Sequence, residues 1–180
     1  MSLIKNFTGH LSTITRHRHK VIYHCFKAGI PFQGLMHDMS KYSPCEFFAG
    51  VRFYQGTRSP NEAEREKFGY SVAWIHHKGR NKHHFEYWTD YNPKSHLIEP
   101  VKMPMRYVIE MFCDRVAASK IYLSDKYNDS CPLEYFLKAK KRRVIHQETS
   151  DFLEKLLVML SEQGEEKTFE YIRSIRKSDY

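Results

Sequence analysis

The fold is indicated first by residues 2–28, which read SLIKNFTGHLSTITRHRHKVIYHCFKA. Apolar residues recur in this stretch at steps of three and four, at Leu3, Phe7, Leu11, Ile14, Val21, Ile22, Cys25 and Phe26. This spacing is typical of one face of an amphipathic helix. Gly29 then supplies a stop, and Pro31 is suited to open the next helix. The pattern predicts an opening helix over residues 2–28.

Similar start and stop signals divide the rest of the chain. Ser43-Pro44 with Glu46, and Ser59-Pro60, are helix starts, whereas Gly56 and Gly79 are suited to end helices. The predicted helices cover residues 31–41, 44–56, 62–77, 104–127, 132–164 and 167–176, with one or two turns at 83–88 and a loop at 91–100. Strand signals are nearly absent. The sequence therefore predicts an all-α bundle of about six to seven helices in a single domain, residues 1–180.

Composition narrows the class of protein and of ligand. The formal net charge is +8, which favours anionic ligands such as phosphate esters, nucleotides or nucleic acid. No apolar run is long enough to cross a membrane, and the first twenty residues lack the apolar core of a signal peptide. The four cysteines have no zinc-knuckle spacing, so free thiols are expected. We therefore expect a cytoplasmic protein without a membrane partner.

Metal-type ligands occur in three separate segments. The opening helix carries His17, His19 and His24, the second helix carries the His37-Asp38 pair, and Asp114 lies within an otherwise apolar helix. A buried carboxylate costs several kcal/mol unless it is paired or bound to a metal. Two plainer interpretations stay open: Asp114 could pair with a neighbouring base, and a single His-Asp dipeptide could be ordinary surface polarity.

The order of these residues resembles the HD-domain superfamily, whose members are helical metal-dependent phosphohydrolases. The sequence His37-Asp38-Met-Ser-Lys41 is similar to the HD-x-x-K pattern of that superfamily. The resemblance covers roughly residues 16–120, so the helices over 132–176 are expected to pack on this metal-site core. It implies four metal ligands, with His19 preferred as the first because it precedes an apolar run: His19, His37, Asp38 and Asp114.

A second histidine cluster extends the resemblance. His76-His77 and His83-His84 flank a turn that contains Gly79. Two-metal branches of the superfamily place extra histidines between the HD pair and the last Asp, and this arrangement resembles theirs. It implies a second ion that shares Asp38, without deciding which histidine of each pair is the ligand. The alternative is a polar surface loop or a phosphate-binding loop.

The function implied by the resemblance is hydrolysis of a phosphate ester, with nucleotides among the candidate substrates. One or two divalent ions would be bound, drawn from Mn, Fe, Zn, Ni and Mg. Asp38 and Lys41 would be the catalytic residues, and Lys41, Arg80 and Arg18 would bind the phosphate.

Two other functions remain as alternatives. Some superfamily members resemble di-iron oxygenases that act on a polyol or a phosphonate, and the extra histidines suit such a site. A helical module that binds nucleic acid or a protein partner is less favoured, since the basic run at 138–143 is more simply a solvated helix face. The apolar face at Phe152, Leu156, Leu157 and Leu160 could belong to the core or to a homo-oligomer.

Overall fold

The computed structural model describes residues 2–178, and the side chains of residues 2–175. Its residues are mostly helical (71%), which confirms the all-α prediction. The α-helices within the described range are α1 (Leu3–Lys27), α2 (Pro31–Met36), α3 (Pro44–Arg52), α4 (Pro60–Phe68), α5 (Val72–Lys78), α6 (Met105–Leu123), α7 (Cys131–Lys140) and α8 (Gln147–Ser178). Short 3-10 turns cover Met39–Tyr42, Phe85–Tyr87 and Ser124–Lys126. No helix in residues 2–178 is both long and apolar enough to span a membrane.

Helix α1 forms as its apolar spacing predicts. The Ser2 side chain accepts a hydrogen bond from the backbone N–H of Lys5 and so caps the first turn. Ile14, Val21 and Cys25 lie on the buried face, which packs against α2, α3 and α6. The opening helix therefore positions any side chain on this face close to the centre of the bundle.

Helices α1 and α2 approach each other closely at Gly34. A Cβ atom at this position would lie 2.7 Å from Cβ of Cys25 and 3.2 Å from the Cα of Ile22. Because real Cβ atoms do not come this close to their neighbours, a larger residue would push α2 away from α1. Gly34 therefore fixes the position of the segment that follows α2.

That segment corrects the prediction of a helix over residues 31–41. Helix α2 ends at Met36, His37 follows as its C-terminal cap, and Asp38 adopts the left-handed conformation with φ of 55°. Aspartate tolerates this conformation better than most residues. The turn sets the His37-Asp38 pair in a bend between two helical segments instead of on a helix face.

The predicted helix over residues 62–77 is also wrong, because it is two helices. Gly69 has φ of 80° and ends α4, and the Ser71 side chain accepts a hydrogen bond from the N–H of Trp74 to begin α5. The expected capping role of Glu46 is not seen either, since its side chain bonds to histidines of α5. Helix α3 ends at Arg52, before Gly56.

The stretch predicted as a loop at 91–100 contains a β-hairpin. Strands β1 (Thr89–Asn92) and β2 (Leu97–Pro100) pair antiparallel, with Thr89 opposite Pro100 and Asn92 opposite Leu97. Both strands are only four residues long and mostly exposed, so they lack the alternation of buried and exposed residues that marks a strand in sequence.

The helix predicted over residues 132–164 is interrupted as well. Helix α7 ends at Lys140 and α8 begins at Gln147, with a kink at Gly164 where φ is 80°. Leu156, Leu157 and Leu160 of α8 are fully buried against a core that includes Phe112 of α6. The apolar face considered for a homo-oligomer therefore lies in the core.

Candidate metal centre

Asp38 occupies the centre of a buried polar cluster and presents its two carboxylate oxygens to different histidines. Oδ2 lies 3.2 Å from Nε2 of His37 and 3.8 Å from Nε2 of His17. Oδ1 lies 3.2 Å from Nε2 of His77 and 3.5 Å from Nε2 of His83. The side chain is only 2% exposed. One carboxylate therefore joins two sets of imidazoles.

These residues form two groups of metal-type ligands that share Asp38. The first group is His17, His37, Asp38 and Asp114; the second group is Asp38, His77, His83 and His84. Within each group the ligand atoms lie within 4.8 Å of one another. Bonds of roughly 2.0–2.2 Å to one ion bring its ligands to within about 4.4 Å of one another, so both groups are near the required spacing.

Two buried glutamates orient the histidines. Glu110 Oε1 lies 2.9 Å from Nδ1 of His37 and 3.1 Å from Nδ1 of His83. Glu46 Oε2 lies 2.7 Å from Nδ1 of His77. A carboxylate that accepts the Nδ1 proton leaves Nε2 with a free lone pair, which is the arrangement that supports metal-binding histidines. In all three rings Nε2 faces Asp38.

The cluster contains buried polar atoms that lie near charged groups of the protein but lack well-directed hydrogen bonds. Six atoms of the two groups are buried and lack a geometrically acceptable hydrogen bond among the described residues: Nε2 of His17, His37, His83 and His84, and both oxygens of Asp38. A buried polar atom left without any partner costs about 1–3 kcal/mol, so further partners for these atoms would be stabilising. Divalent cations would use these lone pairs, so the donor set fits one or two of them.

The electrostatics keep the carboxylates ionised. Burial disfavours the charge of Asp38, but His37, Lys41 and His77 outweigh it and hold the pKa of the carboxyl well below its usual value. Burial likewise opposes the charge of Asp114, yet the nearby His17 and His37, whose Nε2 atoms lie 3.0 Å and 3.6 Å from Oδ1 of Asp114, hold its pKa well below the usual range. Both groups are therefore anionic near neutral pH, as metal ligands must be.

Lys41 lies beside this centre. Its Nζ is 2.6 Å from Oδ2 of Asp38. Burial acts to lower the pKa of Lys41, but the charges of Asp38 and Asp114 outweigh it and raise that pKa above the usual value. The side chain is thus a fixed positive charge at the edge of the cluster.

The structure brings together most of the predicted metal ligands: His37, Asp38, His77, His83, His84 and Asp114. His19 is not among them. It is exposed on α1, and His17 lies at the centre in its place because His17 shares the buried face of Ile14 and Val21. His76 is also outside both groups, with Nδ1 2.6 Å from Oε1 of Glu46. The first-ligand prediction is corrected from His19 to His17.

The two arginines predicted to bind phosphate have other contacts. Arg18 Nε donates to the carbonyl of His37 at 3.2 Å, and Nη2 donates to the carbonyl of Leu35. Arg80 is exposed and donates to the carbonyl of His76 at 3.3 Å. Carbonyl groups at the ends of short helices lack partners within the helix, and both guanidiniums satisfy them. Arg18 therefore holds the His37-Asp38 bend through these two carbonyl groups.

The ligands expected from the sequence do not include three residues of the centre, although His17 is among the candidate histidines of the opening helix. His17 lies three residues after Ile14 and four before Val21, a spacing that places it on the apolar face. Glu110 lies four residues before Asp114 and so on the same face of α6. Glu46 gave no such signal, because its position in a helix start suggested a cap.

A cavity of about 990 Å³ opens next to the centre. The residues that line it include Asp38, Lys41 and Asp114, and also Arg115 and Arg143. The volume is at the upper end of the range for small-molecule sites, roughly 300–1,000 Å³. A ligand in this cavity could contact the metal-type ligands and the arginines together.

The comparison with known proteins places the chain in a family. Residues 6–159 match the model of the family described as "Family of unknown function (DUF5662)". The chain belongs to this family. All residues of the two ligand groups lie within the part of the chain that matches DUF5662. No curated protein and no solved structure matches the chain.

Proposed function

We propose that this DUF5662 protein is a metal-dependent phosphohydrolase that binds two divalent cations through the shared carboxylate of Asp38. The observation that carries the proposal is that the two oxygens of this carboxylate face different pairs of histidines. Oδ2 faces His17 and His37, and Oδ1 faces His77 and His83. The proposal keeps the resemblance to HD-domain proteins, with His17 as the first ligand.

The protein residues have distinct parts in this proposal. His17, His37 and Asp114 would hold one ion, and His77, His83 and His84 the other, with Asp38 between them. Cations at such a site supply Lewis acidity, which lowers the pKa of water and polarises phosphoryl oxygens. Glu46 and Glu110 keep the Nε2 lone pairs of the histidines directed inward.

Lys41 is assigned to the substrate. Its ammonium lines the cavity and lies 2.6 Å from Asp38, so it can contact a phosphoryl oxygen placed at the centre. A fixed positive charge at this position stabilises negative charge as it develops on the phosphoryl group. The net charge of +8 favours association with such an anionic substrate.

Phosphate release from a chelator-treated and reloaded protein tests the proposal. We expect Mn²⁺, Fe²⁺, Zn²⁺, Ni²⁺ or Mg²⁺ to restore hydrolysis of p-nitrophenyl phosphate or of a nucleotide panel. Asp38→Asn should lower kcat/KM by about 100-fold or more, because the shared ligand is weakened. Asp90→Asn, in the exposed hairpin, is the matched control and should retain full activity.

Two results would overturn the proposed phosphohydrolase function. The first is an absence of metal-stimulated phosphate release across the panel. The second is consumption of O₂ by the iron-loaded protein with a polyol or phosphonate and without phosphate release, which would identify the oxygenase alternative.

A further inference from the structure

Two arginines of the cavity wall have no role in the proposed metal chemistry. Arg115 follows Asp114 on α6, and Arg143 lies in the link between α7 and α8. Both guanidiniums lie over the ring of Phe136, with Cζ of Arg115 6.0 Å and Cζ of Arg143 5.5 Å from its centroid. The two positive charges are thus gathered on one apolar side chain.

Among the described residues no carboxylate forms an ion pair with either arginine, and the charges of Asp114 and Glu86 act on them only at longer range. Nε of Arg115 and Nη1 of Arg143 are buried and have no hydrogen-bond partner among the described residues. Glu86 lines the same cavity, but no hydrogen bond or ion pair joins it to either guanidinium among the described residues, and its Oε2 is buried without a hydrogen-bond partner. Two half-buried like charges without a partner are costly unless an anion joins them.

We propose that Arg115 and Arg143 bind a second phosphoryl group of the substrate, which is therefore a phosphate ester with two phosphoryl groups. This inference rests on the proposed hydrolase for the first group, which lies at Asp38. The planar guanidinium fork matches phosphoryl oxygens in a bidentate manner. A phosphoryl group carries up to two negative charges and so neutralises both arginines, whereas a carboxylate carries one.

The position of the pair favours a second phosphoryl group over a single one that contacts both sets of residues. Consecutive residues of a helix point in directions about 100° apart, so Asp114 and Arg115 face different parts of the cavity wall. The metal-type ligands and the arginines therefore define two neighbouring positions in one cavity. A substrate with two separated phosphoryl groups occupies both.

The kinetic test compares bisphosphates with matched monophosphates. The substrates are alkanediol bisphosphates of increasing chain length and the alkyl monophosphates of the same length. Their hydrolysis is measured for three metal-loaded proteins: the wild type, Arg143→Gln and Arg106→Gln. Arg106 is exposed on the same helix as Arg115 and is outside the cavity, so it controls for loss of one charge.

We expect at least one bisphosphate to exceed its monophosphate in kcat/KM by about tenfold or more. Arg143→Gln should remove that advantage through KM and leave monophosphate hydrolysis within about twofold of wild type. Arg143→Lys should restore it only in part, because the bidentate fork is lost. Equal hydrolysis of both substrate classes by the wild type, or an equal loss on both in Arg143→Gln, would overturn the inference.

A binding measurement separates this inference from the proposed function. Inorganic phosphate is titrated into chelator-treated wild type, Arg143→Gln and Arg106→Gln by calorimetry, after thermal unfolding has shown that all three are folded. Binding that Arg143→Gln weakens by about tenfold, and Arg106→Gln leaves unchanged, supports the arginine site even if no ester is hydrolysed. Equal affinity for phosphate in all three proteins would reject the arginine site. It would not affect the proposed hydrolase activity, which the metal-dependent assay tests separately.

Discussion

Glu46 Oε2 lies 2.7 Å from Nδ1 of His77, while Nε2 of the same ring lies 3.2 Å from Oδ1 of Asp38. The imidazole therefore connects a glutamate of α3 to the aspartate that joins the two ligand groups. Because the glutamate accepts the Nδ1 proton, the nitrogen that faces Asp38 keeps its lone pair. The geometry makes Glu46 a positioning residue for the second group.

Glu46→Gln should weaken metal binding without abolishing it. Supporting carboxylates of metal-bound histidines contribute about 10- to 100-fold in affinity, and an amide holds the Nδ1 proton less strongly. Competition with a coloured chelator measures the change. The matched control is Glu99→Gln, in the hairpin, which should bind as the wild type does. Equal affinity for Glu46→Gln and wild type would contradict the assigned role.

A pair of substitutions on α1 tests the identity of the first ligand. His17→Ala removes a buried Nε2 atom of the first group, so metal affinity should fall by about 100-fold or more. His19→Ala, two residues away and exposed, should leave affinity unchanged. Elemental analysis measures the metal bound per chain in each variant, after dialysis against a fixed concentration of the free metal ion. The reverse order of effects would restore His19 as the ligand.

The sequence predicts the site better than it predicts the boundaries of the helices. The His37-Asp38 pair and Asp114 stand out because carboxylates and imidazoles are rare among apolar neighbours. The apolar run after His19 favours that residue as the first ligand, whereas the helical face favours His17, which the structure places in the cluster. His17 shares its face with Ile14 and Val21, and this spacing was present in the sequence.

The missed elements lack a local signal. The hairpin strands are short and mostly exposed, so no alternation distinguishes them from a loop. The break between α7 and α8 falls in a lysine- and arginine-rich stretch with good helix propensity, so nothing local predicts its end. The bend at Asp38 depends on packing of α2 against α1, which is a tertiary contact.

Gly34→Ala should destabilise the protein, because the added Cβ would meet Cys25 and the backbone of α1. Overpacking of this kind typically costs about 1–3 kcal/mol in the free energy of unfolding. Gly79→Ala is the matched control, since its Cβ would make only an ordinary contact, at 3.4 Å from the carbonyl of Ile75. Urea unfolding of the metal-free proteins measures both. A Gly34→Ala variant as stable as Gly79→Ala would show that α1 and α2 can separate freely.

His10 should make the folded state sensitive to acid. Burial, and then the charge of Lys41, lower the pKa of His10 from about 6.5 in the unfolded chain to about 4 in the folded protein. Between these values the unfolded chain binds a proton that the folded protein does not. Stability is therefore lost as the pH falls from about 7 towards 4.

The pH effect of His10 is measured by urea unfolding at pH 7.5 and pH 5 in chelator. His10→Gln should remove on the order of 1–2 kcal/mol of the difference between the two conditions. His96→Gln, on an exposed residue of the hairpin turn, should leave the difference unchanged. An unchanged pH dependence in His10→Gln would show that another group controls acid sensitivity.

The central claim, that Asp38 is shared by two cations, is tested most directly by metal stoichiometry. Purified wild type, Asp38→Asn, His84→Ala and Asp90→Asn are loaded with Mn²⁺ or Fe²⁺ at fixed free concentration and analysed by plasma mass spectrometry. The account predicts about two ions per chain in wild type and in Asp90→Asn, about one in His84→Ala, and close to none in Asp38→Asn. A wild type that takes up no metal, or an Asp38→Asn variant that still binds two ions, would contradict it.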